Sequence, residues 1–526
     1  MPSDNSEKGG PKMGKVREVM QARWNEPCIF ELGRKGTRGH LVPDVDQKIK
    51  ESTRGLSSYL SKSLRRKALP NLPELSEVEV MRHFFRLSQE STCVDSGFNG
   101  EGTCTMKYNP KVNEALAGSP KVTRLHPLQD FRTVQGILEI LYRLGECLKA
   151  LSGMDAVSLQ PPSGTICEWM ECLLIAAYHK YHGNLDKKRD LLVPYTSHGT
   201  NAVGAKMAGF NVITLPQTES GNLDLDALKS VLSDRTAGMI QTNPTSLSVF
   251  DPNMIEMADL IHEVGGVFAY DAANTNCIMG KVRARDLKAD IVHYNLHKAF
   301  GSPHGGYGPG GGALLCTKEF EKFLPVPRVR FDGKRYDFNF DAPDSIGKVK
   351  EFYGNVPNAV RAYAWLVALG TPGIIEASEL ATLNNNYLKE KLRGTPGMDI
   401  PMGEGRRRME ETVYSFKKMF EETGVGAANV ALRVCDFGIN STFAFGYPLY
   451  IEQPWVVEPT EAMDIDEMDK FIQVVRQVAE EAYSNPEVVK TAPHCTTVGR
   501  VDAARTENPE TMALTWRMYK KKGLKL

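Results

Sequence analysis

The sequence lacks the features that mark secreted, membrane-spanning and nucleic-acid-binding proteins. Its ten cysteines are scattered and include no Cys-x-x-Cys pair, and its polar first residues contain no apolar stretch typical of a secretory signal. No apolar run reaches the roughly 18 residues that a membrane helix requires. Basic and acidic residues number 64 each, so no net positive field attracts nucleic acid. We therefore expect a cytoplasmic protein that has neither nucleic acid nor a membrane as its partner.

The length and composition indicate a soluble globular protein with more than one packed unit. Hydrophobic residues make up 41% of the 526 residues and charged residues 24%, an ordinary balance for a folded protein. A chain of this length exceeds the size at which one hydrophobic core divides. We predict an N-terminal arm and helix over residues 1–115, a large domain over 116–340 and a small α+β domain over 341–526.

Seven short apolar or β-branched runs alternate with helical stretches in the middle of the chain. The runs begin at residues 155, 190, 211, 237, 266, 290 and 312. This alternation predicts an α/β fold with a doubly wound, mainly parallel sheet. In such sheets the ligand binds at the carboxyl ends of the strands, so the residues that follow each run are the candidates for chemistry.

The run at 290 ends in Asn295-Leu296-His297-Lys298 and is followed by a loop with seven glycines between residues 301 and 312. Glycines at this density let the backbone approach a ligand closely. Lys298 lies beside His297 and near His304, which places it for imine formation by its neutral amine. The alternative is a solvated lysine beside a flexible turn, which is the commonest fate of a lysine.

Asp271 ends the run that precedes the lysine-bearing one. A carboxylate there is costly to bury unless a cation pairs with it, and the protonated ring nitrogen of pyridoxal 5'-phosphate is such a cation. A helix cap or a turn residue is the alternative interpretation.

Three further strand ends carry polar motifs in the order that a pyridoxal-phosphate site requires. Ser163-Gly164-Thr165 opens a predicted helix, where free backbone N–H groups can bind a phosphate or be capped. His198 follows the second run and could stack on a cofactor ring, although a structural histidine would look the same. Thr242 and Asn243 end the fourth run before a proline turn.

Two other interpretations of these residues are disfavoured. His293 and His297 are four residues apart, but they lack the glutamate of an H-E-x-x-H zinc motif. The glycines at 305–312 lack the G-K-[ST] ending of a phosphate loop and the G-x-G-x-x-G spacing of a dinucleotide site.

Taken together, the motifs resemble those of the glycine decarboxylase P-protein of the glycine cleavage system, in particular its two-subunit form, whose second subunit carries the lysine. The resemblance covers almost the whole chain. The segments that carry it include EPCIFELGRKGTRGHLVP from residue 26, CTMKYNPKVNEAL from 104, HPLQDFRTVQGILE from 126, GMDAVSLQPPSG from 153, VPYTSHGTNAVGAKMAGF from 193, QTNPTSLSVFDPNMIEMADLIHEVGG from 241, YNLHKAFGSPHGG from 294 and VVEPTE from 456.

The resemblance implies a pyridoxal-phosphate enzyme of fold type I, which is the aspartate-aminotransferase-like fold. It implies Lys298 as the Schiff-base lysine, Asp271 facing the pyridinium and His198 stacking on the ring. The implied reaction removes CO2 from an amino acid and passes an aminomethyl group to a lipoyl H-protein. A first P-protein subunit and assembly into a homo- or hetero-oligomer are also implied.

We expect further site residues around this centre. Asn274 is expected beside the cofactor, and His198, His297 and His304 are the candidates for proton transfer because imidazole titrates near neutrality. The residues expected to contact the substrate are Glu101, Thr103, Cys104 and Lys107.

Two segments depart from the family pattern. Gly100-Glu101-Gly102-Thr103 stands where the family has Pro-Leu-Gly-Ser, and Glu410-Glu411-Thr412-Val413 stands where it has His-Glu-Phe-Val. These changes leave open a related enzyme that acts on a different amino acid or amine without a lipoyl acceptor. A non-enzymatic subunit that supports an active partner is a third possibility, and the intact Lys298 and Asp271 argue against it.

Overall fold

The structure is a computed structural model and describes residues 15–39, 43–53, 59–68, 70–100, 108–302, 310–403, 405–440, 448 and 450–523. These residues form two compact units. The larger unit lies within residues 1–17 and 93–490, and the smaller unit combines residues 18–92 with 491–526.

The strands, in chain order, are β1 (Ala156–Ser158), β2 (Asp190–Pro194), β3 (Asn211–Leu215), β4 (Thr236–Thr242), β5 (Val267–Asp271), β6 (Ile291–Asn295), β7 (Gly312–Cys316), β8 (Arg328–Phe331), β9 (Tyr336–Asn339), β10 (Thr412–Ser415) and β11 (Pro454–Val457). The helices are α1 (Ile29–Leu32), α2 (Gln47–Ser52), α3 (Glu77–Gln89), α4 (Lys111–Ala117), α5 (Pro120–Thr123), α6 (Gln135–Ser152), α7 (Gly164–Tyr181), α8 (Gly199–Met207), α9 (Leu225–Val231), α10 (Met254–Glu263), α11 (Leu296–Ala299), α12 (Val356–Leu392), α13 (Lys417–Thr423), α14 (Ala427–Cys435), α15 (Ile465–Ser484), α16 (Pro486–Lys490), α17 (Ala503–Glu507) and α18 (Trp516–Lys522).

A seven-stranded sheet in the order β1-β7-β6-β5-β4-β2-β3 forms the centre of the larger unit. Strand β7 is antiparallel to β1 and β6, and the other pairs are parallel. Each of the seven predicted runs is one of these strands, so the predicted mainly parallel α/β sheet is confirmed. The described cysteines are all free, as expected for scattered positions.

Both faces of the sheet are covered, which explains why its strands are continuously apolar. Along β4, Met239 belongs to one buried cluster with α6 and α10, whereas its neighbour Ile240 belongs to another with α7. Leu191 and Leu192 of β2 divide between the same two clusters. Successive strand residues point to opposite faces, so both faces must be apolar when helices pack on each.

A second core is built from the C-terminal part of the larger unit. Antiparallel strands β10 and β11 pair from Thr412 opposite Val457 to Ser415 opposite Pro454. Trp455 and Phe471 are buried there among residues of α14 and α15. This α+β core matches the predicted character of the C-terminal segment, whereas the predicted domain boundaries stay a prediction.

Helix α12 contributes to both cores. Its first half buries Trp365 in the sheet core, and its last turns bury Leu388 in the second core. A kink at Gly370, with φ of 61°, separates the halves. Among the described residues it is the one helix long and apolar enough, by length and composition alone, to cross a membrane.

The smaller unit brings the two ends of the described chain together. The backbone N–H of Gln21 donates to the carbonyl of Cys495 over 2.9 Å. The ring of Phe30 stacks on Trp516 with 5.6 Å between centroids. Contacts between residues more than 400 positions apart have no local sequence signature, and we did not predict this pairing from the sequence.

Candidate active site

A cavity of about 330 Å³ opens at the carboxyl ends of β4, β5 and β6. Every residue predicted to bind a cofactor lines it, namely Ser163, Gly164, Thr165, His198, Thr242, Asn243, Asp271, Asn274, His297 and Lys298. The parallel topology therefore collects at one edge the side chains that the sequence spreads over 136 positions, from 163 to 298. Their individual roles stay predictions. His304, Glu101, Thr103, Cys104 and Lys107 lie outside the described residues.

Asp271, the last residue of β5, is 1% exposed and lies among hydrogen-bond donors. Its Oδ2 accepts hydrogen bonds from Asn201 Nδ2 over 2.9 Å and from Thr242 Oγ1 over 2.6 Å. Its Oδ1 accepts the backbone N–H of Ala273 over 3.0 Å. Burial alone would raise the pKa of Asp271, but the charge of His293 and these donors lower it. The cavity wall therefore contains a fixed carboxylate.

The Ser163-Gly164-Thr165 segment forms the start of the 18-residue helix α7. Ser163 Oγ accepts the backbone N–H of Ile166 over 3.3 Å, which caps the helix and leaves other N–H groups of the first turn without intrahelical partners. A Cβ atom at Gly164 would lie 2.5 Å from Asn295 Nδ2, so the start of the helix packs tightly against the side chain that ends β6. This backbone cradle has the donors that a phosphate requires.

Lys298 lies on the single turn of α11, directly after β6, and its side chain is half-buried at the cavity. The adjacent His297 has its Nδ1 2.9 Å from the carbonyl oxygen and 3.2 Å from the backbone nitrogen of Gly311. These contacts orient the imidazole against the strand that follows. A Cβ atom at Gly310 would lie 2.7 Å from the same ring nitrogen. The glycines therefore permit close packing around the lysine turn.

His198 caps α8 and faces the cavity. Its Nδ1 lies 2.5 Å from Thr200 Oγ1, and 45% of its side chain stays accessible from the cavity. The enclosing walls and then the charge of Lys298 lower the pKa of His198 to about 4. The imidazole is therefore neutral near pH 7, which suits contact with a ring better than storage of a proton.

Three acidic residues also line the cavity, Glu168, Glu410 and Glu411. The sequence marked Glu410 and Glu411 as departures from the family pattern, whereas Glu168 was not identified. The helix TICEWMECLLI is otherwise mostly apolar, so its two glutamates were a signal that could have been used. Burial and then the charge of Asp271 raise the pKa of Glu168 to about 8. Glu168 therefore retains its proton near neutral pH.

Glu410 reaches the cavity from the segment before β10. It is 3% exposed, and its Oε2 accepts the thiol hydrogen of Cys277 over 3.0 Å. Burial raises the pKa of Glu410. The backbone N–H of Glu411 donates to Ser248 Oγ over 3.0 Å, which fixes this segment to the loop after β4.

The second core also contacts the loop that follows Asp271. Glu458, directly after β11, is 1% exposed. Its Oε1 accepts Asn274 Nδ2 over 3.2 Å and Asn276 Nδ2 over 2.9 Å. Asn274 therefore lines the cavity while its side chain is bound to a carboxylate of the second core.

Comparisons with known proteins cover nearly the whole chain. The family described as "Glycine dehydrogenase, C-terminal domain" matches residues 377–494, and "Aminotransferase class-V" matches residues 171–339. A "Probable glycine dehydrogenase (decarboxylating) subunit 2" of Pyrococcus furiosus is 46% identical over 502 residues, which are 95% of this chain and 97% of that protein. A protein of the same name from Staphylothermus marinus is 41% identical over 95% of this chain and 98% of its own length.

Two solved structures share the fold. An inhibitor-bound glycine decarboxylase P-protein superimposes with a TM-score of 0.69 at 18% identity, covering 84% of this chain and all of that one. A cysteine desulfurase of Escherichia coli superimposes with a TM-score of 0.55 at 15% identity, covering 73% and 95% of the two chains. At these identities the likeness concerns the fold alone, and it confirms the predicted fold type I.

Proposed function

The chain belongs to the glycine dehydrogenase (decarboxylating) subunit 2 family, and on that basis we propose that it is the pyridoxal-phosphate subunit that decarboxylates glycine. One observation from the structure of the chain supports the proposal most strongly. Every residue predicted from the sequence to bind the cofactor lines a single cavity, with Lys298 and Asp271 among them. A family name alone would not require these side chains to meet.

The cavity has the chemical groups that pyridoxal phosphate requires. Asp271 is a buried carboxylate, as a protonated ring nitrogen needs. The start of α7 offers backbone donors to a phosphate, in a gap that a Cβ atom at position 164 would close. Lys298 has an amine at the cavity for a covalent bond to the aldehyde. The residues present therefore fit the cofactor.

When bound, pyridoxal phosphate supplies an electron sink for the bond to the departing carboxylate. The protein's own residues prepare that chemistry. Asp271 would hold the ring nitrogen protonated, the Ser163-Gly164-Thr165 backbone would hold the phosphate, and neutral His198 would cover a ring face. Lys298 would supply the amine that substrate displaces.

The acidic residues at the cavity do not favour a cationic substrate over glycine. Glu410 accepts a thiol hydrogen, and burial raises its pKa, which favours the neutral form that does not repel the carboxylate of glycine. Glu101 lies outside the described residues and adds no argument. The alternative of a different amino acid or amine is therefore not favoured.

We also propose that the chain acts with a first subunit and a lipoyl H-protein in the cytoplasm. The word "subunit 2" in the names of the relatives supports a first subunit. Helix α3 presents Val78, Met81, Phe84 and Phe85, each more than half exposed, as an apolar face of the kind that partner subunits cover.

The test is exchange of labelled CO2 into the carboxyl group of glycine, with purified chain, first subunit, lipoylated H-protein and pyridoxal phosphate. We expect exchange in the wild type and none in Lys298→Ala, because the covalent cofactor bond is lost. Borohydride reduction followed by peptide mass spectrometry should find the cofactor on Lys298.

Lys229→Ala is the matched control, because Lys229 is half-exposed on α9 and pairs with Glu256 away from the cavity. It should exchange CO2 like the wild type. Exchange with another amino acid but not with glycine would contradict the proposed substrate. A reduced adduct on a different lysine would contradict the proposed site.

A further inference from the structure

His293 is the neighbour of Asp271 in the sheet. Strands β5 and β6 are parallel, and the Cα atoms of Asp271 and His293 are partners in their register. Paired residues of adjacent strands point to the same face. Helix α7 packs on that face of β6, and it presents Glu168 and Glu171, which are one helical turn apart.

The imidazole of His293 bridges two carboxyl groups. Its Nδ1 is hydrogen-bonded to Glu171 Oε1 over 2.9 Å, whereas its Nε2 lies 3.3 Å from Asp271 Oδ1, an ion-pair distance without a hydrogen bond. None of the three side chains is more than 1% exposed. The three side chains therefore lie in a row, in the order Glu171, His293 and Asp271. The other contacts of Asp271 are the hydrogen bonds that it accepts from Asn201, Thr242 and Ala273.

Charge balance determines which state this chain adopts. A buried carboxylate requires a cation or several donors, and His293 is the only imidazole or cation that the described residues place in contact with Asp271. Burial alone lowers the pKa of His293, but the charges of Glu171 and then Asp271 raise it to about 9. Only the imidazolium carries the positive charge that pairs with both carboxylates, because a neutral imidazole has one N–H group and no net charge.

We propose that His293 is a positioning residue, an imidazolium held by Glu171, that keeps Asp271 ionised and oriented toward the ring nitrogen of the cofactor. The proposal deepens the proposed function and rests on it, because it assigns Asp271 to that nitrogen. His293 itself touches neither substrate nor cofactor in this account. Burial raises the pKa of Glu171, and the charge and hydrogen bond of His293 act against that rise, so the glutamate and the histidine support each other's charge while the histidine lowers the pKa of Asp271.

A metal site is the competing interpretation. One ligand atom each of Glu168, Asp271 and His293 lies within 4.8 Å of the others. Against it, both oxygens of Asp271 already accept hydrogen bonds from protein donors. An ion would have to replace these contacts.

The first experiment follows the charge of His293 without using catalysis. Carbon-13-labelled histidine in the full chain, without cofactor, gives a signal assigned by its loss in His293→Gln. We expect that signal to be that of an imidazolium at neutral pH. In Glu171→Gln the hydrogen bond can persist but the negative charge is gone, so deprotonation should move down by about one pH unit or more. The other titratable groups that interact with this cluster are Glu168, Cys167 and Cys172 on α7, Asp271 on β5 and His198 at the start of α8.

The second experiment measures whether the ring nitrogen of the bound cofactor is protonated. Nitrogen-15 in the ring of bound pyridoxal phosphate should report a protonated nitrogen in the wild type and partial loss of that proton in His293→Gln and Glu171→Gln. His179→Gln is the matched control, because His179 is equally buried on α7 but bonds Ala237 and Asn184. It should leave the ring signal unchanged. If His293→Gln does not fold, Glu171→Gln carries both measurements.

A neutral His293 in the wild type at neutral pH would overturn the proposal. So would a titration that Glu171→Gln does not move, a ring nitrogen that neither variant affects, or a stoichiometric metal in the purified protein. These outcomes differ from failure of the proposed function, in which the imidazolium is present but the protein binds no pyridoxal phosphate or exchanges no CO2 with glycine.

Discussion

Asp271 and Glu410 lie on two walls of one cavity, and both are almost fully buried, yet their surroundings shift the pKa values of the two carboxyl groups in opposite directions. Asp271 belongs to the sheet, where Asn201, Thr242 and a backbone N–H donate to it beside His293. Glu410 comes from the segment before β10, where the thiol of Cys277 is a weak donor. Burial raises the pKa of Glu410, whereas in Asp271 the partners overcome burial and lower it. The donors around a buried acid, more than its depth, determine its charge.

Removing the charge of Asp271 should have the largest effect on CO2 exchange. Asp271→Asn keeps the shape and removes the charge, so we expect CO2 exchange to fall by about 10²- to 10³-fold, as for loss of one electrostatic contact at a reacting centre. The measurement is exchange together with cofactor affinity. Asp190→Asn is the control, because Asp190 is also largely buried but pairs with Arg235 at the beginning of β2. A wild-type rate in Asp271→Asn would show that the ion pair is wrongly assigned.

The buried groups around Asp271 should also make the free energy of unfolding depend on pH. His293 holds its proton to about pH 9 and Glu168 to about 8, against ordinary values of 6.5 and 4.5. Between the ordinary and the folded values the folded state binds more protons than the unfolded chain, so stability falls as pH rises. Each group contributes at most about 1.4 kcal/mol per pH unit.

Denaturant unfolding at a series of pH values between 6.5 and 9 checks this prediction. His293→Gln should show a shallower decline than the wild type. His179→Gln should decline like the wild type, because burial lowers the pKa of His179 and takes its titration out of this window. Equal slopes in all three proteins would contradict the assigned charges.

Glu410→Gln changes the acid on the other wall of the cavity and should have a smaller effect on CO2 exchange. Burial raises the pKa of Glu410, and glutamine resembles a protonated glutamic acid, so exchange should stay within a few-fold of the wild type below the pH at which Glu410 ionises. As pH rises and Glu410 ionises, the wild type should lose activity because the carboxylate repels that of glycine, and the variant should lose less. A large loss at neutral pH would mean that Glu410 acts as a carboxylate.

The sequence predicts the strands and the residues that follow them, but it does not predict contacts between distant segments. The seven strands are short, apolar and bounded by polar residues, so each run was readable, and parallel topology then required the residues after them to meet. Glu168 and Glu171 were missed because their meaning depends on which face of α7 meets β6. The contact of Cys277 with Glu410 joins positions 133 residues apart and has no local signature. The pairing of the chain ends in the smaller unit was missed for the same reason.

The smallest expected effect comes from changing Cys277, the residue whose thiol donates to Glu410. A hydroxyl is a stronger hydrogen-bond donor than a thiol, so Cys277→Ser should stabilise the ionised form of Glu410 and make its surroundings more like those of Asp271. The decline in CO2 exchange with rising pH should then move to lower pH by a fraction of a unit. Cys277→Ala removes the donor and should move the decline to higher pH. Shifts in opposite directions would identify the donor as the cause, whereas shifts in the same direction would indicate a change of packing. In the Glu410→Gln background neither change at Cys277 should move the decline, because the group that titrates is absent.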